Sequence, residues 1–195
     1  DELNNLILSN AVKGTEVRSK NKKKGIEGDG LLNTILDYSN SLSVIEKIEK
    51  QAGTIAAKAI SIHKPITKTE ANNNKKLETW VKGLSRTASK IAKVKGYKAS
   101  VSIDYDDDGI GYINSEEEIG GVTHHGKIAN SFLRSNDYKI FERVQKAQKV
   151  FSGHVVIDNG SEITEYANIE DCLNQIVNTS KRGLNVQRYK GLGER

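Results

Sequence analysis

The sequence predicts an α+β fold of long amphipathic helices and antiparallel hairpins. Apolar residues four and three apart recur at Leu31, Ile35, Tyr38, Leu42 and Ile45, and again at Leu77, Val81, Leu84, Ala88 and Ile91. That spacing sets one face of each helix aside for a core. The period then drops to two: Tyr97, Ala99, Val101, Ile103 and Tyr105 alternate with Lys98, Ser100, Ser102 and Asp104, as in a half-buried strand. An Asn159-Gly160 pair between Val155-Val156-Ile157 and Ile163-Thr164-Glu165-Tyr166 is the strongest hairpin signal in the chain.

From the start of the chain, Leu6-Ile7-Leu8 and Ala11-Val12 precede a Lys13-Gly14 turn and Thr15-Glu16-Val17-Arg18, which suggests a hairpin over about 6–19. Lys20, Lys22, Lys23 and Lys24 follow as a basic loop. Residues 25–30 are not a nucleotide loop, because they lack a Gly-Lys-Ser/Thr ending and their two acids would repel phosphate. They read instead as the start of a helix over about 31–49, with Asp29 as its cap. Gly53 ends that helix, and residues 54–62 form a second, Ala-rich one, stopped before Pro65. Asn72, Asn73 and Asn74 open the third, with Trp80 beside its apolar row as a plug.

Beyond the strand at 97–105, Asp106-Asp107-Asp108-Gly109 turns the chain back into 110–113, and 119–125 is extended again. Helices are predicted at 128–133 and 137–150, the second carrying Tyr138, Phe141, Val144 and Gln148 on one side. Ile169, Cys172, Leu173, Ile176 and Val177 stripe a last helix, opened by Asn168 with Asp171 three later. Lys181-Arg182-Gly183 should end it, and 184–186 reads as a closing strand. By segment type, 1–95 is mainly helical and 96–180 mixed.

The chain has 195 residues, 36% hydrophobic and 28% charged. No window approaches the 18 apolar residues of a membrane span, and one cysteine allows no internal disulfide, which fits a reducing, cytoplasmic setting. Charge is unevenly placed. Residues 1–100 carry 19 Lys and Arg against 10 Asp and Glu, or +9, whereas 101–195 carry 11 against 15, or −4. A basic first half favours a polyanion or an acidic protein surface as neighbour. The sharpest concentration is on the third helix, where Lys75, Lys76, Lys82, Arg86, Lys90 and Lys93 face away from the apolar row. Lys75, Lys76, Lys82, Arg86 and Lys90 are the candidate DNA contacts within the helix; a solvated lysine-rich surface is the rival reading.

Chemistry is sparse. Asp104, Asp106, Asp108 and Gly109 match the first half of a calcium loop, but position twelve falls on Ser115 where a bidentate Glu belongs, so a hairpin turn is the better reading. His124 and His125 are adjacent, and on a strand they face opposite ways, which is poor for a shared metal. No Ser, Thr or Cys sits in a nucleophile context. No catalytic residue, metal site or cofactor site is expected in this chain.

The most specific string is the last octet, Gln187, Arg188, Tyr189, Lys190, Gly191, Leu192, Gly193 and Glu194. On an extended backbone Arg188 and Lys190 would project to one side, a pair suited to phosphate. The octet resembles the QRYKGLGE segment of the bacterial DNA gyrase B subunit family. Ser180-Lys181-Arg182-Gly183-Leu184 is similar to the run leading into that family's last TOPRIM strand, and Thr123-His124-His125-Gly126 to its T-H-G run. The resemblance implies that residues 1–180 are the elongated insertion that many Gram-negative members carry within TOPRIM, with 181–195 the last TOPRIM strand and exit loop. It also implies a non-catalytic role in an ATP-dependent supercoiling type II topoisomerase, holding DNA and bracing subunits. The implied partners are double-stranded DNA, the gyrase A subunit and the remainder of gyrase B in an A2B2 assembly, with ATP and Mg2+ used elsewhere in the parent and no membrane involved. The same residues leave two other classes open: a free-standing basic nucleic-acid-binding protein, and a protein-interaction scaffold.

Overall fold

The computed structural model describes residues 2–193, with side chains for 2–183. In chain order its elements are α1 (Glu2–Val12), β1 (Glu16–Ser19), β2 (Ile26–Glu27), α2 (Gly28–Ala52), α3 (Thr54–Ile62), α4 (Lys68–Ala71), α5 (Asn74–Val94) and β3 (Lys98–Tyr105). There follow β4 (Gly111–Ile119), β5 (Val122–Ile128), α6 (Asn130–Leu133), α7 (Asn136–Lys149), β6 (Val155–Asp158), β7 (Ile163–Tyr166) and α8 (Ile169–Gly193). The fold is α+β with two antiparallel sheets, ordered β2-β1-β6-β7 and β3-β4-β5. The chain divides into two units, one of the described residues up to Ser39 and from Lys146, the other Asn40–Gln145.

In the first unit β1 is central, pairing with β2 on one side and β6 on the other, and β7 extends the sheet beyond β6. Val17, Val155, Leu173 and Cys172 are buried. Arg18 joins Glu16 and Asp158 at 3.0 and 3.2 Å, tying β1 to β6 by charge as well as by ladder. Burial pushes the Cys172 thiol up to about 12, so it stays neutral and packs as a small apolar group.

The second unit is built on α5. Leu77, Val81, Leu84, Ala88 and Ala92 form its buried keel, and Val101, Ile113 and Ile128 are the buried hydrophobic residues of the sheet β3-β4-β5. Buried Ala56, Ala57 and Ala59 on α3 keep that helix thin, and at Gly83 of α5 a Cβ would stand only 3.1 Å from the His63 ring.

Three polar ties lock the same unit. α3 has no side-chain cap of its own at Gly53; the Ala56 N–H donates instead to the buried Glu117 Oε1 of β4 at 2.8 Å. A carboxylate 61 residues away thus takes the place of the missing cap, favoured by the positive end of the helix. The Ser115 hydroxyl donates to the Ala52 carbonyl, 2.7 Å away, at the end of α2. The Asn130 amide bridges the carbonyls of Ala71 and Gly111 at 2.9 and 2.8 Å.

Several expectations are corrected. Residues 6–12 are helical, not half of a hairpin: Asn4, Ile7, Leu8 and Val12 are the sheltered positions of α1, at helical spacing. Residues 26–27 are strand β2, and Asp29 lies inside the first turn of α2 rather than at its cap. On α2 the buried row runs Leu31, Ile35, Tyr38 and then Ser41, Val44, Ile48 and Ala52, leaving Leu42 and Ile45 half-buried. A strict 4-3 spacing drifts about 20° per heptad on a straight helix, so the row recentres. Ile128 ends β5, and the helix after it starts at Asn130. The expected closing strand at 184–186 is helical backbone within α8. Neither described sheet includes it as a strand, and propagating an existing helix needs no new nucleus.

Candidate nucleic-acid interface

Asn73 caps α5, its side-chain oxygen accepting from the Lys76 N–H at 3.1 Å. At about 100° per residue, Lys75, Lys82, Arg86, Lys90 and Lys93 fall within roughly 80° of arc, opposite the keel, and Lys76 lies to one side. The row is about 27 Å long at 1.5 Å per residue. All six cations are exposed, and among the described residues Lys82, Arg86 and Lys90 make no ion pair. Glu78, the one acid within α5, is engaged by the Tyr105 hydroxyl, which donates to it.

The flanks of α5 differ. On one side Trp80 donates its indole N–H to the Lys64 carbonyl at 2.7 Å and meets the His63 ring edge-on at 5.7 Å, so the lone Trp plugs the α3–α5 side. On the other side Lys82, Ser85, Arg86 and Ser89 face β3 across a groove of about 560 Å³.

His63 Nδ1 lies 2.9 Å from the Thr87 hydroxyl. Burial, then the Arg86 charge, holds its imidazole below the ordinary 6.5. A histidine depressed by folding binds protons more readily in the unfolded chain, so stability falls as pH drops below 6.5 until the folded ring also titrates. His63→Gln should therefore flatten the loss of melting temperature between about pH 7 and 5. The carboxylates held low by hydrogen bonds, Asp104 and Asp158 among them, act only below their ordinary range near pH 4, outside that window. An unaltered pH profile in the variant would show that His63 carries none of the loss.

The other sequence candidates are placed as follows. Asp106 Oδ1 accepts from the N–H groups of Asp108 and Ile110 at 2.9 Å each, and Gly109 has φ +76°: the aspartate run is the β3–β4 turn. Among the described residues no group of His, Cys, Asp and Glu could hold a metal ion. His124 and His125 are exposed on β5. In the basic loop of the other unit Lys20 pairs with Glu165 at 2.8 Å, while Lys22, Lys23 and Lys24 are exposed. Arg188, Lys190 and the other octet side chains, with Glu194 entire, lie outside the described residues.

Sequence reasoning missed Glu117 and Gly126. Glu117 stands in a run of three glutamates and looks solvated, yet it is 3% exposed. Its placement on the inward-facing positions of β4, with Ile113 and Ser115, was the signal available. Gly126 belongs to the T-H-H-G run, and its backbone lies against the end of α2, where a Cβ would meet the Gln51 carbonyl at 2.4 Å.

A family model, described as DNA gyrase B subunit insert domain, matches residues 16–178. Two curated relatives are the DNA gyrase B subunits of Caulobacter vibrioides strains NA1000 / CB15N and ATCC 19089 / CIP 103742 / CB 15. Each is 31% identical over 75 residues, 38% of this chain and 9% of the relative. The matched segment thus spans less than a tenth of those relatives, and the family match stops short of the octet.

Proposed function

The chain belongs to the DNA gyrase B subunit insert domain family, and from that premise we propose that it is a non-catalytic, DNA-holding part of an ATP-dependent type II topoisomerase in the cytoplasm. Its direct partner is double-stranded DNA, gripped through phosphates. The gyrase A subunit and the remainder of gyrase B are the chains it braces in an A2B2 assembly. ATP and Mg2+ serve other parts of the parent. Residues up to about 180 form the insert, and 181–195 lead the chain back to the parent.

The observation that carries this reading is the unpaired cation row on α5, held in register by a buried keel. A fixed line of guanidinium and ammonium groups neutralises phosphates without reading bases. No aromatic side chain lies within the row, so binding should be indifferent to sequence. Each phosphate neutralised should contribute a slope of about 0.9 in log affinity against log salt.

Charge reversal at Lys82 and Arg86 tests it. Two lost contacts should lower the slope by about 2 and weaken unrelated duplexes alike, with melting temperature unchanged because both side chains are exposed. Fluorescence anisotropy on two unrelated duplexes across about 50–200 mM salt measures both. Wild-type affinity in the double variant would remove α5 from the interface and leave Lys22, Lys23 and Lys24 as the surface to examine.

A further inference from the structure

His63 ends α3 and lies against α5 on the flank away from β3. Its ring has a place for two protons. Nδ1 is 2.9 Å from the Thr87 hydroxyl oxygen, and that hydroxyl has the Gly83 carbonyl as its own acceptor at 3.3 Å. With an Nδ1–H donating to Thr87 in this way, the second nitrogen, Nε2, faces Gly83. A Cβ built on Gly83 would stand 3.1 Å from His63 Nε2 and 3.9 Å from Arg86 Nη2. The absent side chain therefore leaves a notch bordered by an imidazole and a guanidinium. It opens at the surface, since Gly83 and His63 are half-buried and Arg86 is exposed. An oxygen seated there would be in reach of both nitrogens.

We propose that His63 is a further phosphate contact: protonated, it joins Arg86 in holding one phosphate oxygen over Gly83, so that duplex binding takes up a proton. The inference rests on the DNA reading and adds its regulation by pH. In the free protein burial, and then the Arg86 charge, hold the ring toward its neutral form. A phosphate in the notch reverses the second cause, because it neutralises Arg86 and attracts a proton to Nε2. No carboxylate is ion-paired with the ring among the described residues. What α5 presents to it is Thr87, Trp80 and Arg86. From α7 comes Gln145, whose amide donates to the His63 carbonyl at 3.0 Å. The incoming phosphate thus supplies the negative charge that this corner lacks.

The test uses the whole chain, whose single tryptophan, Trp80, touches the His63 ring. A protonated imidazole quenches an indole beside it, so Trp80 emission reports the titration of His63. A saturating duplex should raise the midpoint of that titration by about one pH unit. By linkage, duplex affinity read by anisotropy should rise about threefold or more between roughly pH 8 and pH 6. His63→Gln should remove both effects. Gly83→Ala fills the notch and keeps both side chains, so its midpoint should no longer respond to duplex. An unmoved midpoint in the wild type with duplex bound would overturn the proposal. So would a pH slope retained in His63→Gln, which would assign the slope to the exposed His124, His125 and His154. Duplex binding without any pH slope keeps the DNA reading and discards this one; absence of duplex binding at every pH discards both.

Discussion

Gly126→Ala should lower the melting temperature by more than about 10 °C and leave a protein that unfolds over a broad range. At this position an added Cβ would lie 2.4 Å from the Gln51 carbonyl oxygen, 2.6 Å from the Ala52 Cα and 2.8 Å from the Ser115 hydroxyl. Two of those three are backbone, at the end of α2, and cannot rotate aside. Relief requires β5 to lift away, which would also strain the hydrogen bond from Ser115 to the Ala52 carbonyl. A cost of about 4 kcal/mol or more belongs to the exceptional end of single-substitution effects, where backbone strain and overpacking coincide. His125→Ala, one residue away and exposed, is the control and should melt near wild type. Differential scanning calorimetry of the two variants decides it: matched melting temperatures would mean the close approach is not structural.

Gly53→Ala is expected to be almost as damaging, for a reason that can be separated into parts. Gly53 has φ +93°, where an L side chain is strained by roughly 1–2 kcal/mol. Its Cβ would also fall 2.4 Å from the Glu117 carboxylate, displacing the group that accepts from the Ala56 N–H. A buried carboxylate stripped of its partner adds about 3 kcal/mol. In a Glu117→Ala background the clash is absent, so the same glycine substitution should cost only the backbone strain. Denaturant titration of the four proteins gives the coupling between the sites, expected to be about 2–3 kcal/mol. Additive losses would mean that Glu117 does not press on Gly53.

Periodicity made most of this fold legible. The keel of α5, the alternation of β3 and the Asn159-Gly160 hairpin follow local rules, and each side chain announces its own environment. What stayed hidden was set by distant partners. Glu117 reads as surface until Ala56, 61 residues earlier, supplies the helix end that it caps. Leu6 and Ile7 look like strand residues until α1 is seen with its sheltered row at Asn4, Ile7, Leu8 and Val12. The closing strand belongs to a resemblance that carries its neighbouring strands with it, and here the same residues continue α8. Of the candidate interface, the cation row itself was readable from spacing. The groove beside it was not, because which strand ends a sheet is a property of pairing rather than composition.

The pairing of β1 with β6 also sets an order on synthesis. Arg18 and its partner Val156 are separated by well over a hundred residues, so the sheet β2-β1-β6-β7 cannot close until the ribosome has delivered that whole stretch. Everything in Asn40–Gln145 is contiguous by comparison, and its strands β3, β4 and β5 are joined in sequence by tight turns. Loop-closure entropy grows only slowly with length, so the long connection costs little in final stability. Its toll is temporal: during translation β1 and β2 wait as an incomplete pair, and the middle of the chain has every contact it needs first.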